Sequence, residues 1–188
     1  MVEKTEAGEG KVCPWWLIGT FDNPLRRLIH DPQRILEGLV LPGQRVADIG
    51  CGMGYFTIPL ARLVGSEGKV YAIDVQDEML AGVKRRASRA GLLERISLQR
   101  VSAGWMGLPE QVDFALAFWM VHETPEITAF LRQVHGLLKP GGKLLVVEPI
   151  IHVGKAAFER TLESARAGGF KPVGQLPVRF SRAMLLEA

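Results

Sequence analysis

The chain has 188 residues, 47% of them hydrophobic and 23% charged, which suits one cored domain and excludes a disordered coil. Its net charge of +3 sits in the tail: residues 1–154 balance 17 Lys and Arg against 17 Asp and Glu, and 155–188 hold 6 against 3, too slight a surplus for a nucleic-acid footprint. No apolar run reaches the ~18 residues of a membrane span, no signal-peptide stretch follows the mixed-charge start, and Cys13 and Cys51 alone make no disulfide framework, so the expectation is a soluble, cytoplasmic protein.

The first 41 residues differ in texture from the rest. Trp15 and Trp16 stand side by side, Asn23-Pro24-Leu25-Arg26-Arg27-Leu28 follows, and a helix is expected to end near Leu41-Pro42-Gly43. This stretch is too short to bury a core of its own and reads as a cap over the following domain, 42–188. The tryptophan pair is either an aromatic lid over an apolar or planar substrate or an anchor on the core.

Beyond it, apolar strand-like runs alternate with helical patterns, the signature of parallel βαβ units. Arg45 to Ile49 predicts a strand that enters a glycine cluster, and Thr57 to Val64 a helix ended by Gly65. Lys69 to Ile73 is a second strand leading to Asp74. Asp77 to Ala90 carries Met79, Leu80, Val83 and Ala87 on one face, with Gly91 as a stop. The basic cluster Lys84, Arg85, Arg86 and Arg89 on that helix is a solvated face or a phosphate or RNA contact. Ile96 to Val101 predicts a third strand. Val112 to Phe118, apolar almost throughout, predicts a fourth strand covered on both faces. A helix over Glu126 to Leu138, a turn at Lys139-Pro140-Gly141-Gly142, and a fifth strand from Lys143 to Val147 follow. The chain then offers a helix over Lys155 to Ala167 and two strand-like runs split near Pro177, a hairpin at the sheet edge.

The chemistry concentrates in Asp48-Ile49-Gly50-Cys51-Gly52-Met53-Gly54. Glycines at alternate positions between a strand and a helix let backbone amides approach a ligand where the helix field is positive. Tyr55 breaks the G-x-G-x-x-G dinucleotide pattern, and no Lys-Ser/Thr pair supports a Walker loop. Asp48 suits an amino-bearing ligand, and Asp74, at the end of the second strand, stands where nucleoside-binding α/β folds hold ribose hydroxyls. A ligand with a ribose and an ammonium, and no phosphate, is the expectation.

These motifs together resemble class I S-adenosylmethionine-dependent methyltransferases. Val46 to Gly54 is similar to their first motif and Tyr71-Ala72-Ile73-Asp74 to their second-strand acidic motif. Val112 to Leu116 resembles their fourth strand, and Leu138 to Leu144 their turn into the fifth. The resemblance covers roughly 40–150 and is nearest the small-molecule branch, including the type 11 and quinone-ring enzymes. It implies a Rossmann-like, doubly wound, seven-stranded α/β sheet, mostly parallel, with an antiparallel C-terminal hairpin strand and helices on both faces. It also implies S-adenosyl-L-methionine as cofactor, S-adenosyl-L-homocysteine as product, and in-line methyl transfer to a small-molecule acceptor. An RNA or protein acceptor and a non-catalytic cofactor-binding protein are the rival readings. The sequence leaves the oligomeric state open and offers no metal site.

Carried over by position, the resemblance implies that Gly50, Cys51, Gly52 and Gly54 shape the loop around the methionine part of the cofactor. Asp48 would hold its amino group, directly or through water. Asp74 would bind the ribose hydroxyls, with Val75 and Met79 near the adenine. No acidic residue follows the third strand, so Ser102 or the Ala103 backbone would meet the adenine amine. Phe118 closes the cofactor set. Ligands of open α/β sheets lie beyond the carboxyl ends of the strands, which makes Trp119, His122 and Glu148 candidates for the acceptor side, with Trp15 and Trp16. His122 is a candidate general base, with Glu123 to orient it or act instead, and His122 and Glu148 could equally be structural.

Overall fold

In the computed structural model, residues 26–102 and 107–188 are described, Arg27 by its backbone only. Trp15, Trp16 and Ala103 therefore lie outside the described residues. Seven strands form one sheet in the order β3-β2-β1-β4-β5-β7-β6. They are β1 (Arg45–Ile49), β2 (Lys69–Asp74), β3 (Ile96–Arg100), β4 (Val112–Phe118), β5 (Leu138–Pro149), β6 (Lys171–Gln175) and β7 (Ser181–Glu187). The first five run parallel, and β7 lies antiparallel between β5 and β6. The expected doubly wound α/β sheet with an antiparallel C-terminal strand is present.

The helices are α1 (Arg26–Ile29), α2 (Pro32–Leu36), α3 (Thr57–Leu63), α4 (Asp77–Ala90), α5 (Ile127–Leu137) and α6 (Lys155–Ala167). Strand side chains alternate between the two faces, so each strand feeds two cores. Val46, Phe114 and Leu145 pack with Leu60 of α3 and Val83 of α4. Ala47, Ala115 and Leu144 pack on the other face with Leu131 of α5 and Leu162 of α6. This double coverage explains the unbroken apolar reading of β4.

Two sequence expectations change in detail. The helix foreseen up to Leu41 stops at Leu36, because Gly38 takes a left-handed backbone (φ +72°) and turns the chain. Before that, Asp31 caps α2 by accepting the Gln33 amide at 3.0 Å, with Pro32 in the first turn. Leu36 and Val40 are buried in the same core as Leu60. The second change concerns Lys139 to Gly142, which is a bulge inside β5 and not a turn ahead of it. Val112 pairs with Leu138 and Phe114 with Lys143, so four residues on β5 face Asp113 alone. Asp113 ties the excursion down by accepting the Lys139 ammonium at 2.6 Å and the Arg45 amide at 2.8 Å. Burial alone would raise this carboxyl, but those bonds outweigh it and hold it below its ordinary value.

The chain moves outward from β1 to β2 and β3, then returns to place β4 on the other side of β1. That reversal opens a crevice between β1 and β4 at their carboxyl ends, the usual seat of a ligand in such sheets.

Candidate active site

The glycine loop leaves β1 at this crevice. The amides of Gly50 and Cys51 both donate to the Ile73 carbonyl, at 2.9 and 3.0 Å, which draws the loop toward β2. Gly50 has φ +67°, and a Cβ there would meet Met120 Cγ at 2.9 Å, so the loop and the segment after β4 approach closely. Gly52 has φ +52° with open space around its missing Cβ, which leaves a cradle for a ligand. Gly54 packs against Val83 of α4.

Two buried carboxylates flank the loop. Asp48 on β1 accepts the Thr57 hydroxyl at 2.6 Å, and burial pushes its carboxyl up to about 7. The Thr57 bond opposes that rise, the negative Asp74 adds to it, and the Arg26 guanidinium opposes it. Asp74 accepts the Gly52 amide through Oδ2 and the Gln76 amide through Oδ1, each at 3.0 Å. Burial raises its carboxyl as well, against the pull of the Gln76, Gly52 and Val75 amides. Such a donor-hungry, phosphate-repelling cradle fits a ligand that offers an ammonium and hydroxyl groups. Burial, followed by the charges of Asp48 and Asp74, holds the Cys51 thiol well above its usual range, so it is a wall of the loop and no nucleophile.

The remaining cofactor candidates divide. Val75 is half-buried beside Asp74, and Ser102 is exposed just after β3. Met79 is only 1% exposed and sits in the first turn of α4. Among the described residues no group of His, Cys, Asp and Glu is arranged to hold a metal ion.

Past β4 lies an aromatic cluster that the sequence reading reached only in part. Phe118 packs on Phe56 with ring centroids 4.4 Å apart, and both Phe118 and Trp119 receive the edge of His30, at 5.3 and 4.9 Å. Trp119 turns the chain through a left-handed backbone (φ +60°) and donates its indole N–H to Ser181 at 3.0 Å. Arg26 of α1 lies over this cluster, 4.3 Å from the Tyr55 ring centroid and 5.5 Å from that of Trp119. His30 is buried and bonds the Arg179 carbonyl at 2.8 Å, and Tyr55 donates to the His30 carbonyl at 2.7 Å. Burial lowers the His30 pKa; the Arg179 carbonyl works against this and Arg26 adds to it. Arg26, His30 and Tyr55 are the site residues that sequence reasoning missed. The only local signal was the Arg-Arg pair ahead of an apolar residue, which does not say which arginine turns inward.

At the acceptor end, His122 sits in a 3-10 turn (Val121–Glu123) after β4. Its Nδ1 bonds Oε2 of Glu148, at the end of β5, and Glu148 Oε1 accepts the Val121 amide at 2.9 Å. Glu148 thus holds the Nδ1 side of the imidazole, a contact the sequence reading did not foresee. The Glu148 bond raises the His122 pKa, burial opposes it, and the charges of Glu148 and Glu123 add to it. His152 stacks on His122 at 5.9 Å with rings 10° from parallel.

Comparison with known proteins agrees with this geometry. Residues 46–142, just over half the chain, match the family described as a methyltransferase domain. Aklanonic acid methyltransferase DauC from Streptomyces sp. (strain C5) is 32% identical over 117 residues, covering 62% of this chain and 53% of that protein. Ubiquinone/menaquinone biosynthesis C-methyltransferase UbiE from Teredinibacter turnerae is 36% identical over 111 residues, covering 58% of this chain and 44% of that protein. The chain thus spans about half the length of the curated relatives it matches. A SAM-dependent methyltransferase from Aquifex aeolicus superposes with a TM-score of 0.85 at 25% identity, over 94% of this chain and 99% of that one. Two buried carboxylates about a glycine loop, at the switch point of a seven-stranded sheet, thus coincide with a family match through the same residues: the chain belongs to the S-adenosylmethionine-dependent methyltransferase-domain family.

Proposed function

We propose that this chain transfers a methyl group from S-adenosylmethionine to a small-molecule acceptor by in-line displacement. The pair of buried carboxylates about the glycine loop carries the reading, since ammonium and ribose hydroxyls are the groups that would satisfy it. Asp74 receives the ribose hydroxyls and Asp48 the ammonium, while Arg26, within the field of Asp48, faces the carboxylate of the same amino-acid end. Gly50, Cys51, Gly52 and Gly54 line the methionine part, and Val75 and Ser102 border the adenine. Met79 supports that border from the core. The bound cofactor supplies an electrophilic methyl on a positively charged sulfur, so much of the rate comes from how the chain positions the acceptor. In this reading Phe118 and Trp119, at the end of β4, wall the acceptor space.

The cofactor-binding unit of this reading is 42–188, joined by Arg26, with the rest of 1–41 contributing to the acceptor side. His30, set edge-on against Trp119, supports that division. Cytoplasmic action belongs to the same reading, in keeping with a free thiol, Cys51, inside the site.

Calorimetry with S-adenosylhomocysteine tests the cofactor assignment. Asp74→Ala is expected to weaken binding by about 1.5–3 kcal/mol, the range for a hydrogen bond to a charged group. Unchanged affinity removes Asp74 from the site, and no binding by a folded wild-type sample refutes the function.

A further inference from the structure

Glu148 is a fully buried acid on an interior strand, 1% exposed, and both of its oxygens are engaged by the segment after β4. An ionised carboxylate only accepts hydrogen bonds, so Nδ1 of His122 carries the hydrogen and the lone pair falls on Nε2. The ring is held from a second side by the parallel face of His152. A carboxylate on Nδ1 fixes the tautomer and makes Nε2 more basic, which suits a proton acceptor. We infer that Glu148 is a positioning residue that holds His122 with Nε2 as proton acceptor, and that the methyl acceptor is an apolar molecule bearing a weakly acidic hydroxyl on a conjugated ring or enol. The inference rests on the methyl-transfer function proposed above.

The acceptor class follows from what such a base can and cannot do. A carboxylate acceptor is already ionised near neutral pH and gains nothing from a histidine. An aliphatic hydroxyl is too weak an acid for an imidazole to deprotonate. A conjugated hydroxyl, with the acidity of a tyrosine side chain at about 10, lies within reach. The loop that carries His152 also exposes Ile150 and Ile151, 42% and 78% exposed, and the Ile150 amide donates to the carbonyl of the exposed Phe180 at 3.1 Å. These two isoleucines offer exposed apolar surface in the same loop as the histidine that stacks on His122. In the step itself the acceptor O–H bond breaks and its proton passes to Nε2. The oxygen pair then forms the bond to the methyl carbon, and the pair of the broken carbon–sulfur bond stays on sulfur. The imidazolium is stabilised by Glu148 until the proton leaves for water.

Among the described residues, the ionisable groups around His122 are Glu148 from β5, Glu123 from its own turn and His152 from the loop after β5. Arg182 of β7 pairs in register with Glu148 but donates its Nε to the Val153 carbonyl.

The test compares wild type, Glu148→Gln and His122→Asn, using 1-naphthol and 2-naphthol as hydroxyl probes and benzoate as the carboxylate probe. All three proteins should bind S-adenosylhomocysteine equally; failure of wild type to bind would instead sink the cofactor assignment. The His122 ring should titrate above its ordinary value by NMR in wild type and fall in Glu148→Gln. Turnover of a hydroxyl probe should rise with pH through the His122 titration in wild type. That rising limb should move to lower pH with a reduced plateau in Glu148→Gln, and kcat should drop about 10²–10⁴-fold in His122→Asn. An unmoved NMR titration in Glu148→Gln, or full turnover by His122→Asn, overturns the positioning role. Turnover of benzoate alone, or of no hydroxyl probe by a protein that binds S-adenosylhomocysteine, overturns the acceptor class.

Discussion

Asp48 shows how a single residue couples the site to pH. Burial raises its folded-state pKa from 3.8 to about 7, so between those values the native chain binds a proton that the unfolded chain has lost. Stability from this group is therefore complete below the unfolded value and declines as pH rises through about 7, by on the order of 4 kcal/mol in all. An ammonium beside Asp48 favours the ionised form, so cofactor binding should expel that proton. Calorimetry of S-adenosylhomocysteine in buffers of different ionisation enthalpy should show about half a proton released at pH 7 and nearly one at pH 6. Affinity should weaken as pH falls below 7, and Asp48→Asn should abolish the proton release. Equal heats in every buffer would refute the pairing. Asp48 and Asp74 were legible in the sequence because they flank a glycine motif at fixed spacing. Arg26 and His30 were not: His30 reaches the site through a bond to Arg179, 149 residues away, and no local pattern encodes such a contact. Glu148 was visible as a strand-end acid, but its bond to His122 depends on β4 and β5 being neighbours.

Among the elements, β1, β2, β4, α4 and α6 were readable nearly to the residue, since each has one consistent periodicity and a marked stop. Gly91 illustrates such a stop: at φ +66° it caps α4, its amide reaching Ala87 and Ser88 carbonyls. The bulge in β5 escaped because Pro-Gly-Gly chemistry signals a turn equally well when the strand resumes on its far side. Two glycines of similar backbone separate fold from function. Gly91→Ala meets nothing within 4 Å and should cost about 1 kcal/mol of stability, with S-adenosylhomocysteine affinity unchanged. Gly50→Ala bears the same left-handed strain and also drives a Cβ against Met120, whose flexible side chain must shift toward the space between loop and β4. It should lower stability by about 1–2 kcal/mol and weaken S-adenosylhomocysteine binding at least tenfold. Denaturant melts with calorimetry decide between them; unchanged affinity in Gly50→Ala would show that the loop does not need its observed path.

For the whole molecule, the seven-stranded sheet and its antiparallel end were legible because motifs occurred in order along most of the chain. What the sequence left unstated was that β7 enters between β5 and β6, pairing from Lys143↔Glu187 to Pro149↔Ser181 on one side and from Lys171↔Glu187 to Gln175↔Met184 on the other. Leu185 and Leu186 face opposite cores, so β7 closes both. A chain ended at Gln175 should lack a cooperative unfolding transition by circular dichroism, whereas ending it at Glu187 should leave one; a cooperative melt in the shorter chain would mean that β1 to β5 hold together unaided. The position of β7 also orders events at the ribosome. Every other strand has been translated before Ser181 to Glu187 emerge, so a nascent chain presents the flank of β5, with Leu144 to Val147, as an unsealed edge while synthesis continues. Until β7 arrives that edge can pair with another chain, so the interval between synthesis of β5 and of β7 is when this sheet is most open to misassembly.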